Sequence, residues 1–81
     1  MLSISNLGIV NDVKALQLSS IYQIQSGLDS LDIIAITLFG DQNYWKYLAY
    51  YNDIENPFGL ISQGYTSIKV FSKSDIDLLI N

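Results

Sequence analysis

The spacing of apolar side chains predicts two short strands with two helices between them. Over Ser20–Gln25, Tyr22 and Ile24 fall on one side of an extended segment, a pattern that is typical of a strand. A second strand is predicted over Thr66–Phe71. The intervening chain repeats apolar residues at the spacing of one helical face, first at Leu31, Ile34, Ala35 and Leu38 and then at Trp45, Leu48 and Ala49.

Polar residues and a glycine mark the ends of these two helices. Asp29 is placed to accept hydrogen bonds from the free N–H groups of the first turn, and the charge of Asp32 favours a helix N-terminus. Gly40 ends the first helix, because glycine readily adopts the positive φ that a helix end commonly requires. Asp41 begins the second helix and Asn52 ends it. We expect the Asn52 side chain to cap that end by bonding loop backbone.

A set of residues spanning the second helix and the turn after it follows a familiar order: Gly40-Asp41-Gln42-Asn43-Tyr44-Trp45, Leu48-Ala49, Asn52, Ile54, Asn56-Pro57 and Gly64. This order resembles the LysM-like domain of small baseplate proteins from contractile phage tails and related injection machines. The resemblance covers somewhat more than half of the chain. The acidic and apolar stretch Ser74–Ile80 also resembles the end of such wedge proteins. Phe71 departs from the family pattern, which often has a proline there to end the second strand.

The resemblance and the spacing together imply an α+β fold. We expect a small LysM-like strand–helix–helix–strand unit at residues 20–72, with a two-stranded antiparallel sheet and the helices packed on one face. An N-terminal interaction arm at residues 1–19 and a short C-terminal helical tail at residues 73–81 would flank this unit.

The same resemblance implies a structural function. The chain would be a virion protein, synthesised in the host cytoplasm and assembled into the wedge or hub-proximal part of a tail baseplate. There it would join neighbouring baseplate, tube or sheath-side subunits. The alternative is a LysM module that binds peptidoglycan, a polymer containing N-acetylglucosamine. A third hypothesis is that the chain is a regulatory domain that depends on a partner protein and belongs to no virus.

Composition narrows the choice of partners. The chain has 81 residues and a net charge of −4, with four lysines, no arginine and no cysteine. Four dispersed lysines cannot supply the phosphate neutralisation that nucleic-acid binding needs, so no nucleic-acid partner is expected. The longest strongly apolar stretch, Ile33–Phe39, is far shorter than the ~20 residues that span a bilayer, so no membrane partner is expected either.

Catalysis finds little support in the residue types. The chain lacks histidine and cysteine, which are the usual base for activating a serine and the strongest side-chain nucleophile. Helix capping or a solvated turn explains the paired carboxylates at Asp29 and Asp32, Asp53 and Glu55, and Asp75 and Asp77. We therefore expect no enzyme activity, no cofactor and no metal site.

The N-terminal arm carries eight aliphatic residues with neither clean helical nor clean strand spacing: Leu2, Ile4, Leu7, Ile9, Val10, Val13, Leu16 and Leu18. They could fold back into the core of the domain or cover a neighbouring subunit. We favour the interpretation that they cover a neighbouring subunit, because the two helices can already bury their apolar faces against the two strands. It predicts partner contacts at Leu2, Ile4, Leu7, Ile9 and Val10.

Aromatic residues crowd the second helix. Trp45 shares a face with Leu48 and is predicted to be core. At 100 degrees per residue Tyr47 and Tyr51 lie together on another side, and we interpret them as partner contacts. Sugar stacking is the second interpretation.

The remaining predicted contacts lie in a loop and in the tail. In peptidoglycan-binding LysM domains the glycan lies between the loop after the first strand and the loop before the second, here 27–30 and 56–61. Phe58, Leu60 and Ile61 would give this groove an apolar wall that suits a polypeptide better than a glycan. In the tail, Ser74 is the predicted helix cap, and Ile76, Leu79 and Ile80 have helical spacing and would dock on a partner.

Overall fold

The computed structural model describes residues 7–81, and within them the chain has an α+β fold. Four α-helices and two strands follow in the order α1 (Leu7–Lys14), β1 (Ser20–Gln23), α2 (Leu31–Phe39), α3 (Trp45–Asn52), β2 (Ser67–Val70) and α4 (Lys73–Ile80). A 3₁₀ turn at Gln42–Tyr44 leads into α3. The predicted contacts Leu2 and Ile4 lie outside the described residues.

The predicted antiparallel pairing of the two strands is confirmed. Ser20 lies opposite Val70 and Gln23 lies opposite Ser67. The strands are shorter than the sequence indicates, although the N–H of Ile24 still donates to the carbonyl of Thr66 at 3.0 Å. Phe71 does not prolong β2, which ends at Val70, and its side chain lies in the core with only 1% of it exposed.

Helix α2 ends as expected but begins differently. Gly40 adopts φ 78°, and its N–H donates to the carbonyl of Ile36 at 2.9 Å. At the start, Ser30 and not Asp29 occupies the N-cap position. The prediction that Asp29 caps this helix is therefore wrong. Its carboxylate instead accepts the N–H of Ile61 at 3.0 Å, in the loop before β2.

The second predicted helix is divided into a 3₁₀ turn and α3. Asp41 begins it, since its Oδ1 accepts the N–H of Asn43 at 2.8 Å. Asp53, the residue after α3, adopts φ 56° and so ends the helix in a left-handed conformation. The Asn52 side chain bonds the backbone of Leu48 and of strand residue Lys69, not of a loop, which corrects the expected cap.

The core lies between the sheet and the helices. Its buried members come from every helix, from β2 and from the connecting segments: Val13, Leu31, Ile34, Ala35, Leu48, Ala49, Tyr51, Ile54, Leu60, Ile68, Val70, Phe71 and Ile76. Phe71 stacks on Phe39 with 5.5 Å between ring centroids and meets Tyr51 edge-on at 5.2 Å. This aromatic group joins the end of β2 to α2 and α3.

The interpretation that the apolar residues of the N-terminal arm cover a neighbouring subunit, and do not fold back into the core, is wrong for Val10 and Val13. Residues 7–14 form α1, and Val13 is fully buried while Val10 is 7% exposed. One turn of helix brings Val10 and Val13 to the same side, toward α3. The Tyr51 hydroxyl also donates to the carbonyl of Leu16 at 2.9 Å, which fixes the chain after α1 against α3.

The C-terminal tail forms two turns of helix, as expected. Its cap is Ser72 and not Ser74, since the Ser72 hydroxyl accepts the N–H of Asp75 at 3.2 Å. The helix docks through the buried Ile76 and through the Tyr44 hydroxyl, which donates to Asp77 at 2.5 Å.

Candidate interaction surface

The loop between α3 and β2 is held rigid by its own hydrogen bonds. The Asn56 side chain accepts the N–H of Phe58 at 3.0 Å. The Gln63 side-chain amide donates to the carbonyls of Asn56 at 2.9 Å and Phe58 at 2.7 Å. Gly59 supplies the positive φ, 61°, that the turn requires. The N–H and the carbonyl of Phe58 are therefore both hydrogen-bonded within the loop.

This loop is also bonded directly to the loop after β1. The N–H of Leu31 donates to the carbonyl of Pro57 at 2.8 Å, and the N–H of Leu60 donates to the carbonyl of Asp29 at 3.1 Å. The Asp29 carboxylate adds the bond to the N–H of Ile61. The two loops that would border a LysM glycan groove are thus in direct contact.

An aromatic and acidic depression lies beside the joined loops. Asp32, Trp45, Pro57 and Phe58 line a cavity of about 200 Å³, and we call these four residues the Phe58 surface. The Phe58 side chain is 63% exposed and that of Trp45 is 37% exposed. Large apolar side chains that are exposed beside each other, one of them on a hydrogen-bonded loop, are typical of an interaction surface.

Asp32 supplies the charge of the Phe58 surface. The neighbouring Ser30 hydroxyl and the N–H of Ile33, which donates to Oδ1 at 2.9 Å, stabilise the ionised carboxylate. The Ser30 hydroxyl contributes most, and together with the Ile33 N–H it lowers the pKa of Asp32 below its usual value, although desolvation of the carboxylate acts in the opposite direction. Among residues 7–81 the ion pairs are Lys14 with Asp53 and Lys73 with Asp77, so Asp32 has no counter-ion there.

A larger open groove of about 970 Å³ runs between α1 and α3, and Trp45 borders it as well. Apolar groups from Val10, Ala49 and Ile54 line it. Charged residues also line this groove: Lys14, Lys46, Asp53 and Glu55. The Trp45 ring therefore stands between two depressions of different polarity.

The prediction that Trp45 is core and Tyr51 is surface is reversed in the structure. Tyr51 is only 7% exposed, whereas Trp45 is more than a third exposed. Trp45 is the first residue of α3, and helical side chains point back toward the N-terminus. Its ring therefore projects past the end of the helix, while Tyr51 lies deeper, against Phe71.

The predicted contact residues divide into three groups. Two are exposed, Phe58 and Ile61. Four are partly buried: Ile9, Tyr47, Leu79 and Ile80. Four pack inside the chain itself, which corrects their assignment as available side chains: Val10, Tyr51, Leu60 and Ile76. Leu7 lies in the first turn of α1.

Leu60 and Tyr47 differ from the surface that the sequence predicts. Leu60 is fully buried in the core, and its N–H donates to the carbonyl of Asp29, so it forms no groove wall. Tyr47 is flanked edge-on by Tyr44 and Tyr50, with ring centroids 6.4 and 6.1 Å away. Its ring is therefore only partly exposed.

The contributions of Trp45, Asp32 and Pro57 were not expected from the sequence. A signal for Trp45 is present, because the Asp41 cap places this residue within the first turns of its helix, where a side chain extends past the helix end. No comparable local signal brings Asp32 to Pro57, since the N–H of Leu31 reaches Pro57 only after the loops have docked.

The part of the chain that the structure describes offers no group of three or more acidic side chains placed to hold a metal ion. None of the helices formed by residues 7–81 is both long and apolar enough to cross a membrane. Comparison of this chain with protein-family models, curated protein sequences and solved structures gives no match.

Proposed function

We propose that this chain is a structural protein that binds another protein through the Phe58 surface. In the specific form of the proposal it is a baseplate component of a contractile tail, part of the virion, and joins neighbouring baseplate, tube or sheath-side subunits. Support for the specific form comes from the resemblance of the Gly40–Trp45 run, Asn52 and the Asn56-Pro57 turn to LysM-like baseplate proteins.

The observation that carries the proposal is the exposure of Phe58 on a loop whose backbone is held by hydrogen bonds. The side chain is 63% exposed, yet the backbone on both sides of it is bonded to Asn56 and Gln63. Keeping a phenyl ring in water costs free energy, and association removes that cost. Because the loop is already ordered, binding loses little conformational entropy.

Peptidoglycan binding is the second candidate. The exposed rings of Trp45 and Phe58 beside the Asp32 carboxylate favour it, since sugars stack on aromatic faces and bond to carboxylates. The direct bonds between the two loops argue against it, because a glycan in the LysM manner needs a groove between them. Protein binding fits the joined loops better.

Copurification distinguishes the two candidates. The tagged chain would be co-expressed with the proteins encoded by its neighbouring genes, and in parallel incubated with purified cell wall. We expect a defined complex with one of these proteins and no retention on cell wall. Phe58→Ser should abolish the complex, whereas Leu78→Ser, at a side chain that is 82% exposed on α4, should leave it intact. Retention on cell wall that Phe58→Ser removes would favour the glycan-binding function.

A further inference from the structure

We infer that the cavity of the Phe58 surface receives one cationic side chain of the partner protein, an arginine in preference to a lysine. This inference rests on the proposed function and names the group that the surface recognises. Four residues define the site: Asp32, Trp45, Pro57 and Phe58.

The size of the cavity suits a single side chain. Its volume of about 200 Å³ is below the roughly 300–1,000 Å³ of pockets that hold cofactors or drug-sized ligands. Two aromatic rings and a proline form most of the cavity wall. The aliphatic part of a long side chain from the partner would be buried favourably against these apolar groups. A long side chain with a polar end therefore fits better than a compact apolar one.

The charge of the cavity selects a cation. Asp32 is ionised at neutral pH, because the Ser30 hydroxyl and the Ile33 N–H favour its charged form. Neither ion pair among residues 7–81 includes it. Aromatic faces also attract cations, and Trp does so most strongly. An acidic chain of net charge −4 adds a long-range attraction for a basic partner.

Arginine fits this combination better than lysine. The guanidinium group is planar, so it can stack on the Trp45 or Phe58 ring while its edge donates two hydrogen bonds to the Asp32 carboxylate. An ammonium group is a compact, strongly hydrated charge and gains less from a flat aromatic wall.

The single tryptophan of the chain provides the test. Trp45 fluorescence would be followed while acetyl-Gly-Arg-Gly-amide is added to the full chain, up to about 10 mM because one side chain binds weakly. The control ligand is the same peptide with citrulline, which keeps the shape and loses the charge. We expect a saturable change with the arginine peptide and binding at least about tenfold weaker with the citrulline peptide. Lysine in place of arginine should bind at an intermediate level.

Variants locate the site. Asp32→Asn should weaken arginine binding about tenfold, and Phe58→Leu, which keeps an apolar side chain, should weaken it several-fold. Glu55→Gln removes the same charge from the neighbouring groove and should leave binding unchanged. The chemical shift of the Trp45 indole N–H, recorded in the same titrations, detects binding that does not alter fluorescence.

Three results would overturn the inference: no saturable response in either measurement, equal binding of the arginine and citrulline peptides, or sensitivity to Glu55→Gln instead of Asp32→Asn. These results are distinguishable from failure of the proposed function. If Phe58→Ser abolishes the protein complex while the arginine peptide does not bind, the surface recognises an apolar group and the function stands.

Discussion

The side-chain amide of Asn52 bonds both backbone groups of Lys69. Its Oδ1 accepts the Lys69 N–H at 2.7 Å, and its Nδ2 donates to the Lys69 carbonyl at 2.9 Å. Asn52 thereby acts on the outer edge of β2 as one residue of a neighbouring strand would, and it fixes the last turn of α3 to the sheet. The loop that carries Phe58 leaves α3 directly after this attachment.

Asn52→Asp should lower the free energy of unfolding by about 1–2 kcal/mol, because the carboxylate cannot donate to the carbonyls of Lys69 and Leu48. Urea unfolding measures the change. Asn11→Asp, at an exposed position of α1, serves as the matched control and should alter stability much less. If both substitutions lower the free energy of unfolding equally, the hydrogen bonds from Asn52 to Lys69 and Leu48 do not contribute specifically to stability.

Leu48→Ala should cost about 3–5 kcal/mol, since the side chain is fully buried and its loss leaves a cavity. Trp45→Ala should cost only about 1–2 kcal/mol although the ring is larger, because the ring borders open depressions and the vacated space fills with water. Both variants are compared by urea unfolding. A larger loss for Trp45→Ala would contradict the position of its ring at the surface.

Val13→Ala should destabilise the chain by about 1–3 kcal/mol, since Val13 is fully buried against the core. Leu18→Ala, at a side chain that is half exposed, is the aliphatic control and should change stability by less than about 0.5 kcal/mol. If Val13→Ala melts like the parent, α1 does not belong to the core and the expectation of a separate arm returns.

The Asp77 carboxylate makes stability depend on pH at the acidic end. The Lys73 ammonium and the Tyr44 hydroxyl hold the pKa of Asp77 below its ordinary value of 3.8. A lowered folded-state pKa contributes stability above 3.8 that is lost as the pH falls through the folded value. The melting temperature of Asp77→Asn should therefore lie below that of the parent at about pH 6, and the difference between the two melting temperatures should be smaller at about pH 3.

Asp12→Asn, on the exposed side of α1, is the control for the change in net charge. Thermal unfolding followed by circular dichroism across this pH range gives both curves. A difference between Asp77→Asn and the parent that is the same at both pH values would show that the contacts of Asp77 do not depend on its ionisation.

Features that depend only on residues close together in the sequence can be predicted from the sequence alone. Gly40 ends α2 because the left-handed conformation is a property of one residue, and Asp41 begins the next turn through a bond to Asn43, two residues away. The two strands could be predicted in the same way, from alternation within each strand. Their antiparallel pairing followed from the resemblance of the whole unit.

Features that depend on docking could not be predicted from the sequence. Asp29 was expected to cap its own helix, but it bonds Ile61, 32 residues along the chain. Over residues 8–14 of α1 the buried apolar side chains are Val10 and Val13, a pattern too short to distinguish from scattered apolar residues until α3 packs against it. The Phe58 surface itself combines the start of α2, the start of α3 and a loop, and no single segment carries its pattern.

We propose that another protein covers the Phe58 surface in an assembled tail particle, and a crosslink formed at position 58 would detect that contact. A photoreactive phenylalanine analogue would replace Phe58 in cells that produce the particles, with the same analogue at Leu78 as the exposed control. We expect irradiated particles to contain a specific adduct between position 58 and a second tail protein, and no such adduct from position 78. Particles that lack the chain, or an adduct with cell-wall glycan in place of protein, would contradict it.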